Sequence, residues 1–136
     1  MRATLSDGVE FEIPDVWFQK AGMLNFVRAT PSYRSGPHPD HLDYPMQIVP
    51  IGQIKPVRRN PAVTLDFGGF AEDRMIRILG GFVLDHNIPP IKVSVSDELR
   101  YVYQVYDGMH RFHASVAAGF TAQPVIIGKW GFAALE

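Results

Sequence analysis

An α+β fold, a small mixed β-sheet with helices packed on it, is predicted by three features of this sequence. Two stretches, Ile91 to Ser96 and Tyr101 to Tyr106, have the texture of strands, the first alternating apolar and polar residues cleanly. Between Phe70 and Gly80 the spacing is helical: Phe70, Met75, Ile76, Ile78 and Leu79 form an apolar stripe, and Glu72, Asp73, Arg74 and Arg77 an exposed one. After the second strand, Asp107-Gly108 breaks the pattern, and His110 to Ala118 reads as a helix closed by Gly119. Strands mixed with helices in this way place the helices on a sheet.

The other elements fit around these. Val9 to Ile13 has strand alternation. Pro14 and Asp15 then open a helix through Val16 to Ala21, closed by Gly22, with proline in the first turn and glycine just past the end. Residues 30–45 are rich in Pro, Ser, Gly, His and Asp and nearly free of large aliphatics, so they read as a long, mobile loop. Gln47 to Ile51 reads as a strand leading into Ile54-Lys55-Pro56-Val57. Gly80-Gly81 is expected to end the second helix. Asp97 to Arg100 supplies a turn that makes a hairpin of the two strands beside it. Pro124 to Ile127 is a final buried strand. Trp17, Phe18 and Trp130 are expected to pack in the core or at an edge. The texture changes near residue 47, dividing the chain into an N-terminal extension, 1–47, and a main domain, 48–136.

Composition narrows the function. Of 136 residues, 46% are hydrophobic and 20% charged, which supports a packed core. No apolar run approaches the roughly 18 residues that span a membrane, and the N-terminus turns polar at once. There is no cysteine, which removes disulfides, thiolate metal sites and thiol nucleophiles. A cytoplasmic location is the expectation. The net charge of −1 argues against a free-standing nucleic-acid binder, for which a basic excess drives affinity. Lys55, Arg58 and Arg59 are the one clustered basic group. His38, Asp40, His41 and Asp43 share the loop, but their spacing matches no metal template, and no metal site is expected there.

The segment Asp107-Gly108-Met109-His110-Arg111 concentrates the chemistry. A strand runs into a helix whose first turn offers unpaired N–H groups and the positive end of the macrodipole. Gly108 permits close backbone approach to a ligand. Arg111, read as exposed at a helix start, adds a planar fork suited to phosphate oxygens. These are the parts of an anion site, with Asp107 and His110 as the candidate catalytic pair. The same residues also suit a purely structural corner, with Asp107 capping the helix. His113 reads as structural more readily than His110.

In its context this corner resembles the ParB/sulfiredoxin superfamily. The likeness spans roughly residues 48–128 and includes Ile51-Gly52-Gln53-Ile54-Lys55-Pro56, Pro90-Ile91-Lys92-Val93, the Asp-Gly-x-His-Arg corner, the alanine-rich helix, Gly119 and Pro124-Val125. The resemblance implies a nucleotide- or phosphate-binding domain contacting its ligand through Gly108, Met109, His110, Arg111, Arg58 and Arg59. Such a domain would be a phosphotransferase or an NTP hydrolase, with Mg²⁺ and ATP, ADP or CTP as cofactors. Sulfiredoxins carry Gly-Cys-His-Arg, and Met109 stands where that cysteine does its chemistry, so sulfiredoxin activity is excluded. ParB proteins add a helix-turn-helix domain, and none is expected in the residues up to Glu136. Free-serine kinases of the superfamily use an Asp-Gly-His-x-Arg corner and a carboxylate just after the Lys/Arg-Pro strand. Here Val57-Arg58-Arg59-Asn60 follows, with no carboxylate before Asp66. The alternative reading is a DNA-binding or nuclease accessory protein of plasmid or phage type. A homodimer packing through Trp130-Gly131-Phe132 is a further expectation; a membrane partner is not.

Overall fold

The structure, a computed structural model, describes residues 1–36, 45–56 and 66–130. Its elements in chain order are β1 (Arg2–Thr4), β2 (Glu10–Glu12), α1 (Asp15–Ala21), β3 (Met46–Pro50), β4 (Ile54–Lys55), α2 (Glu72–Val83), β5 (Ile91–Val95), β6 (Tyr103–Asp107), α3 (Met109–Ala117) and β7 (Ala122–Ile127). The α+β class read from the sequence is observed. A five-stranded mixed sheet has the order β3-β7-β5-β6-β4, and β1 and β2 form a separate two-stranded ribbon. Among the sequence expectations, the His38–Asp43 cluster, Arg58, Arg59, Gly131 and Phe132 lie outside the described residues.

The predicted hairpin is present. β5 and β6 are antiparallel, with Val93 opposite Val105 and Val95 opposite Tyr103. β7 runs parallel to β5 and antiparallel to β3, so it is paired on both sides. A strand in that position is buried on both faces and reads as a continuous rather than an alternating run. Gln123, Pro124, Val125 and Ile126 are accordingly all buried.

One boundary differs from the sequence reading in an informative way. α2 does not stop at Gly80-Gly81 but runs on to Val83. The glycines serve close approach instead. A Cβ on Gly81 would lie 2.8 Å from Ile88 Cδ1, and one on Gly80 would meet the Ala21 carbonyl at the end of α1. The helix ends a turn later, where the His86 N–H donates to the Gly81 carbonyl and the Asp85 N–H to the Phe82 carbonyl. Asp85 takes the left-handed conformation (φ 54°) that glycine usually fills at this position. An aspartate tolerates that region better than most side chains.

α3 lies between two apolar clusters. Its Phe112 joins Val49, Ile54, Ile91, Val93 and Val125 on the sheet. Its Ala114 and Ala117 join Trp17, Phe18, Met75, Leu79 and Phe82 from α1 and α2. The segment read as an N-terminal extension thus contributes to the same core as α2 and α3.

Residues 30–36 also depart from the expectation of a loop with little to bury. Tyr33 is buried at 3% exposure, stacked on Phe82 with ring centroids 5.1 Å apart. Its hydroxyl donates to the Pro89 carbonyl at 2.9 Å and accepts from Gln123 Nε2 at 2.8 Å. The Pro31 carbonyl accepts from the N–H groups of Thr121 and Ala122, and the Arg34 carbonyl from that of Ile88. Burial pushes the Tyr33 phenol well above its ordinary range, against the opposing pull of Arg111 and the Gln123 bond, so it stays protonated. Tyr33→Phe should cost about 1–3 kcal/mol, because it strips a partner from two buried polar groups and keeps the packing. Urea denaturation measures this; an unchanged midpoint would mean the hydroxyl contributes nothing to holding the segment.

Candidate functional site

The corner forms because Gly108 does what no other residue can do there. Its backbone is left-handed, with φ 114° and ψ 36°. A Cβ at this position would lie 2.6 Å from Ile91 Cγ2 and 2.9 Å from Ile91 Cβ. The turn aims the start of α3 at an open cleft of about 340 Å³ lined by Arg74, Ile78 and residues 107–111.

The two longer helices begin differently. At α2 the Glu72 N–H donates to the Asp66 carboxylate at 2.8 Å, and Glu72 and Asp73 add negative charge to the first turn. α3 has neither a side-chain cap nor an acidic residue in its first turn. Its first internal hydrogen bond runs from the Phe112 N–H to the Gly108 carbonyl. The N–H groups ahead of it have no acceptor within the helix, and the positive end of the macrodipole faces the cleft without a side-chain counter-charge in that turn.

Arg111 is held rather than waving in solvent. Its Nη1 donates to the Pro90 carbonyl at 2.7 Å, and its Nη2 lies 3.7 Å from the Asp107 carboxylate. At 21% side-chain exposure it is not the exposed arginine the sequence suggested. A guanidinium has five N–H donors, so these contacts orient the fork without exhausting it. Asp107 is exposed at the rim. The Met109 side chain packs against the helical core, which leaves its backbone N–H as the group at the helix start.

His110 is buried, and its Nε2 accepts from the Ala71 N–H at 2.8 Å. While the bond lasts, the lone pair of that nitrogen is engaged by the backbone. The bond joins the start of α3 to the residue before α2. His113, one turn further on, sits among Phe11, Phe70 and Phe112, and its Nδ1–H donates to the Met109 carbonyl at 2.8 Å. This is the structural role read for it.

Of the basic group, Lys55 is ion-paired with Asp97 at 3.0 Å and Glu98 at 3.2 Å, remote in sequence from the corner. Arg74 was missed: the sequence reading assigned it to a solvated stripe. Among the described residues no hydrogen bond or ion pair engages its guanidinium. The missed signal was its spacing from Ile78, since residues four apart share a helix face and both line the cleft. Among the described residues no three His, Cys, Asp or Glu side chains group to hold a metal ion. No helix among them is long and apolar enough to cross a membrane. No family model, curated protein or solved structure matches this chain.

Two outcomes test this geometry. Gly108→Ala should destabilise the fold by about 2–4 kcal/mol, combining left-handed strain with overpacking against Ile91; a wild-type melting curve would refute the corner. The second concerns pH. Burial holds the His113 imidazole below its ordinary range, with the Met109 hydrogen bond partly opposing. The unfolded chain therefore binds a proton first. Stability is fully present above about pH 6.5 and falls as pH drops below it, by up to about 1.4 kcal/mol per pH unit from this group. Denaturation of His113→Gln across that window should show a shallower slope than wild type; equal slopes would remove His113 as the source.

Proposed function

We propose that this protein binds a phosphate-bearing ligand in the cleft before α3. One observation carries the reading: two guanidinium groups from different helices, Arg74 and Arg111, line the same cleft as a helix start without a side-chain cap. Oriented N–H donors, a macrodipole and planar cationic forks all favour oxyanions. The resemblance of the corner to the ParB/sulfiredoxin superfamily points the same way, toward a nucleotide or other phosphate ligand. Phosphoryl transfer or NTP hydrolysis would be an extension of that binding, since such chemistry relies chiefly on positioned charge. Mg²⁺ would fit through the single carboxylate of Asp107 together with the ligand's own phosphates, as it commonly does. Of the basic group that the DNA-binding alternative draws on, Lys55 is paired with the carboxylates of Asp97 and Glu98.

The test is calorimetric titration with tripolyphosphate and with ATP, ADP and CTP, each with and without Mg²⁺. Arg74→Ala should weaken binding roughly 10- to 150-fold, the loss of one charge-assisted contact, and leave stability within about 0.5 kcal/mol of wild type. Arg111→Ala should lose a similar factor in affinity and also about 1.5–3 kcal/mol of stability, because the Pro90 carbonyl loses its charged donor. Arg111→Lys should recover only part of the binding, keeping charge without the fork. Wild-type protein that binds none of these ligands would overturn the reading.

A further inference from the structure

A second cavity, of about 350 Å³, opens between the segment 26–34 and the end of α2. It shares no lining residue with the cleft before α3. Its apolar wall is aromatic. Phe120 stands edge-on to Phe26 and Phe82, with ring centroids 6.0 and 5.2 Å away, and Tyr33 stacks on Phe82. The hydroxyl groups in this wall are already engaged. That of Tyr33 is turned to Pro89 and Gln123, and that of Thr30 donates to the Ser32 carbonyl at 2.6 Å.

The charged side chains lining the cavity are Arg34 and Asp85, with His86 beside them. Arg34 and Asp85 are joined loosely. Arg34 Nη1 is 3.4 Å from the Asp85 carbonyl and 3.8 Å from its carboxylate, and the two side chains are 65% and 78% exposed. An exposed pair at that distance contributes little to stability, so it opens at little cost. Asp85 is also a poor choice on conformational grounds. Its left-handed backbone suits glycine or asparagine. A carboxylate just past Val83, the last residue of α2, meets the negative end of the macrodipole. Asparagine would fill the position without that repulsion, so the fold gains little from the charge.

The pattern of charge selects the ligand. A purely anionic guest would engage Arg34 and leave Asp85 unpaired beside it. A purely cationic guest would do the reverse. A molecule carrying both charges on one carbon replaces both halves of the pair. The aromatic wall adds a preference for an apolar ring attached to them, and the cavity is at the small end of the range for ligand sites. We infer that this cavity binds a free α-amino acid with a large apolar side chain of the phenylalanine kind. Its carboxylate meets Arg34, its ammonium meets Asp85, and its ring lies against Phe26, Phe82 and Phe120. The site is independent of the anion cleft.

Calorimetric titration with L-phenylalanine tests this, beside three probes that each lack one part. 3-Phenylpropionate lacks the ammonium, L-phenylalaninamide the carboxylate, and glycine the ring. L-phenylalanine should bind most tightly, and loss of either charge should cost about 5- to 12-fold in affinity. Asp85→Asn should lose that factor for L-phenylalanine without weakening 3-phenylpropionate. Arg34→Gln should lose it for L-phenylalanine without weakening L-phenylalaninamide. Both residues are exposed, so both variants should keep the wild-type melting curve. Tripolyphosphate should not compete with L-phenylalanine, so this site and the anion cleft stand or fall separately. No binding of L-phenylalanine, or affinity no better than that of glycine or of both single-charge probes, would overturn the inference. Wild-type affinity for L-phenylalanine in either variant, or competition by tripolyphosphate, would overturn it as well.

Discussion

Two hydrogen bonds from consecutive side chains fix where α3 begins, and most of the architecture refers to that point. His110 accepts from the Ala71 N–H, just before α2, and Arg111 donates to the Pro90 carbonyl, just before β5. The first bond ties α3 to the helical layer and the second ties it to the sheet. Both lie at least partly out of water, where an unmade bond leaves a polar group stranded. Gly108 completes the anchor by letting the chain turn against Ile91. With its start held in this way, α3 can place Phe112 on the sheet and Ala114 and Ala117 on the helices without room to slide.

The same two residues stood out in the sequence as chemistry, and the structure gives them a mechanical role first. A histidine and an arginine after a glycine turn have the right groups for a ligand, and those groups are equally suited to backbone partners. Which partner they take depends on residues 39 and 21 positions away, Ala71 and Pro90. Sequence separations of that size leave no periodic trace. For Arg111 the two roles are compatible, because one terminal nitrogen is bound to a carbonyl while the other lies toward a carboxylate at the cleft. For His110 they compete, because the acceptor nitrogen is already in use.

What was legible in the sequence was whatever has a short period or a local backbone demand. The hairpin of β5 and β6, the helix after Asp107-Gly108, and α1 between Pro14 and Gly22 all fall in this class. The irregular segment around Tyr33 did not, since composition counts apolar residues and misses one tyrosine placed to fill a gap. Gly80-Gly81 misled because glycine ends a helix when it supplies a left-handed turn and continues it when it supplies clearance. Only the position of Ile88, relative to Gly81, distinguishes the two cases. Arg74 was hidden for the converse reason: a charged residue on a helix face is solvated by default, and only the opposing corner shows that the solvent there is a cleft. The bulge in β6 at Tyr106, where Lys92 faces Asp107 while Val93 faces Val105, has no sequence signature, since an inserted residue in a strand of tyrosines and valines looks like continued alternation.

The place of β7 in the sheet bears on how the chain reaches this state. Among the described residues it is the last strand in sequence, yet it lies between β3 and β5. Until Ala122–Ile127 has been synthesised, β3 has no partner and one side of β5 is open. Gln123 also arrives with this strand to meet Tyr33, ninety positions earlier. Closure at such separation is entropically slow. During synthesis the hairpin of β5 and β6 therefore waits with an open edge, and open edges recruit strands from other chains. The edge of β5 that β7 covers is thus exposed for as long as β7 takes to dock.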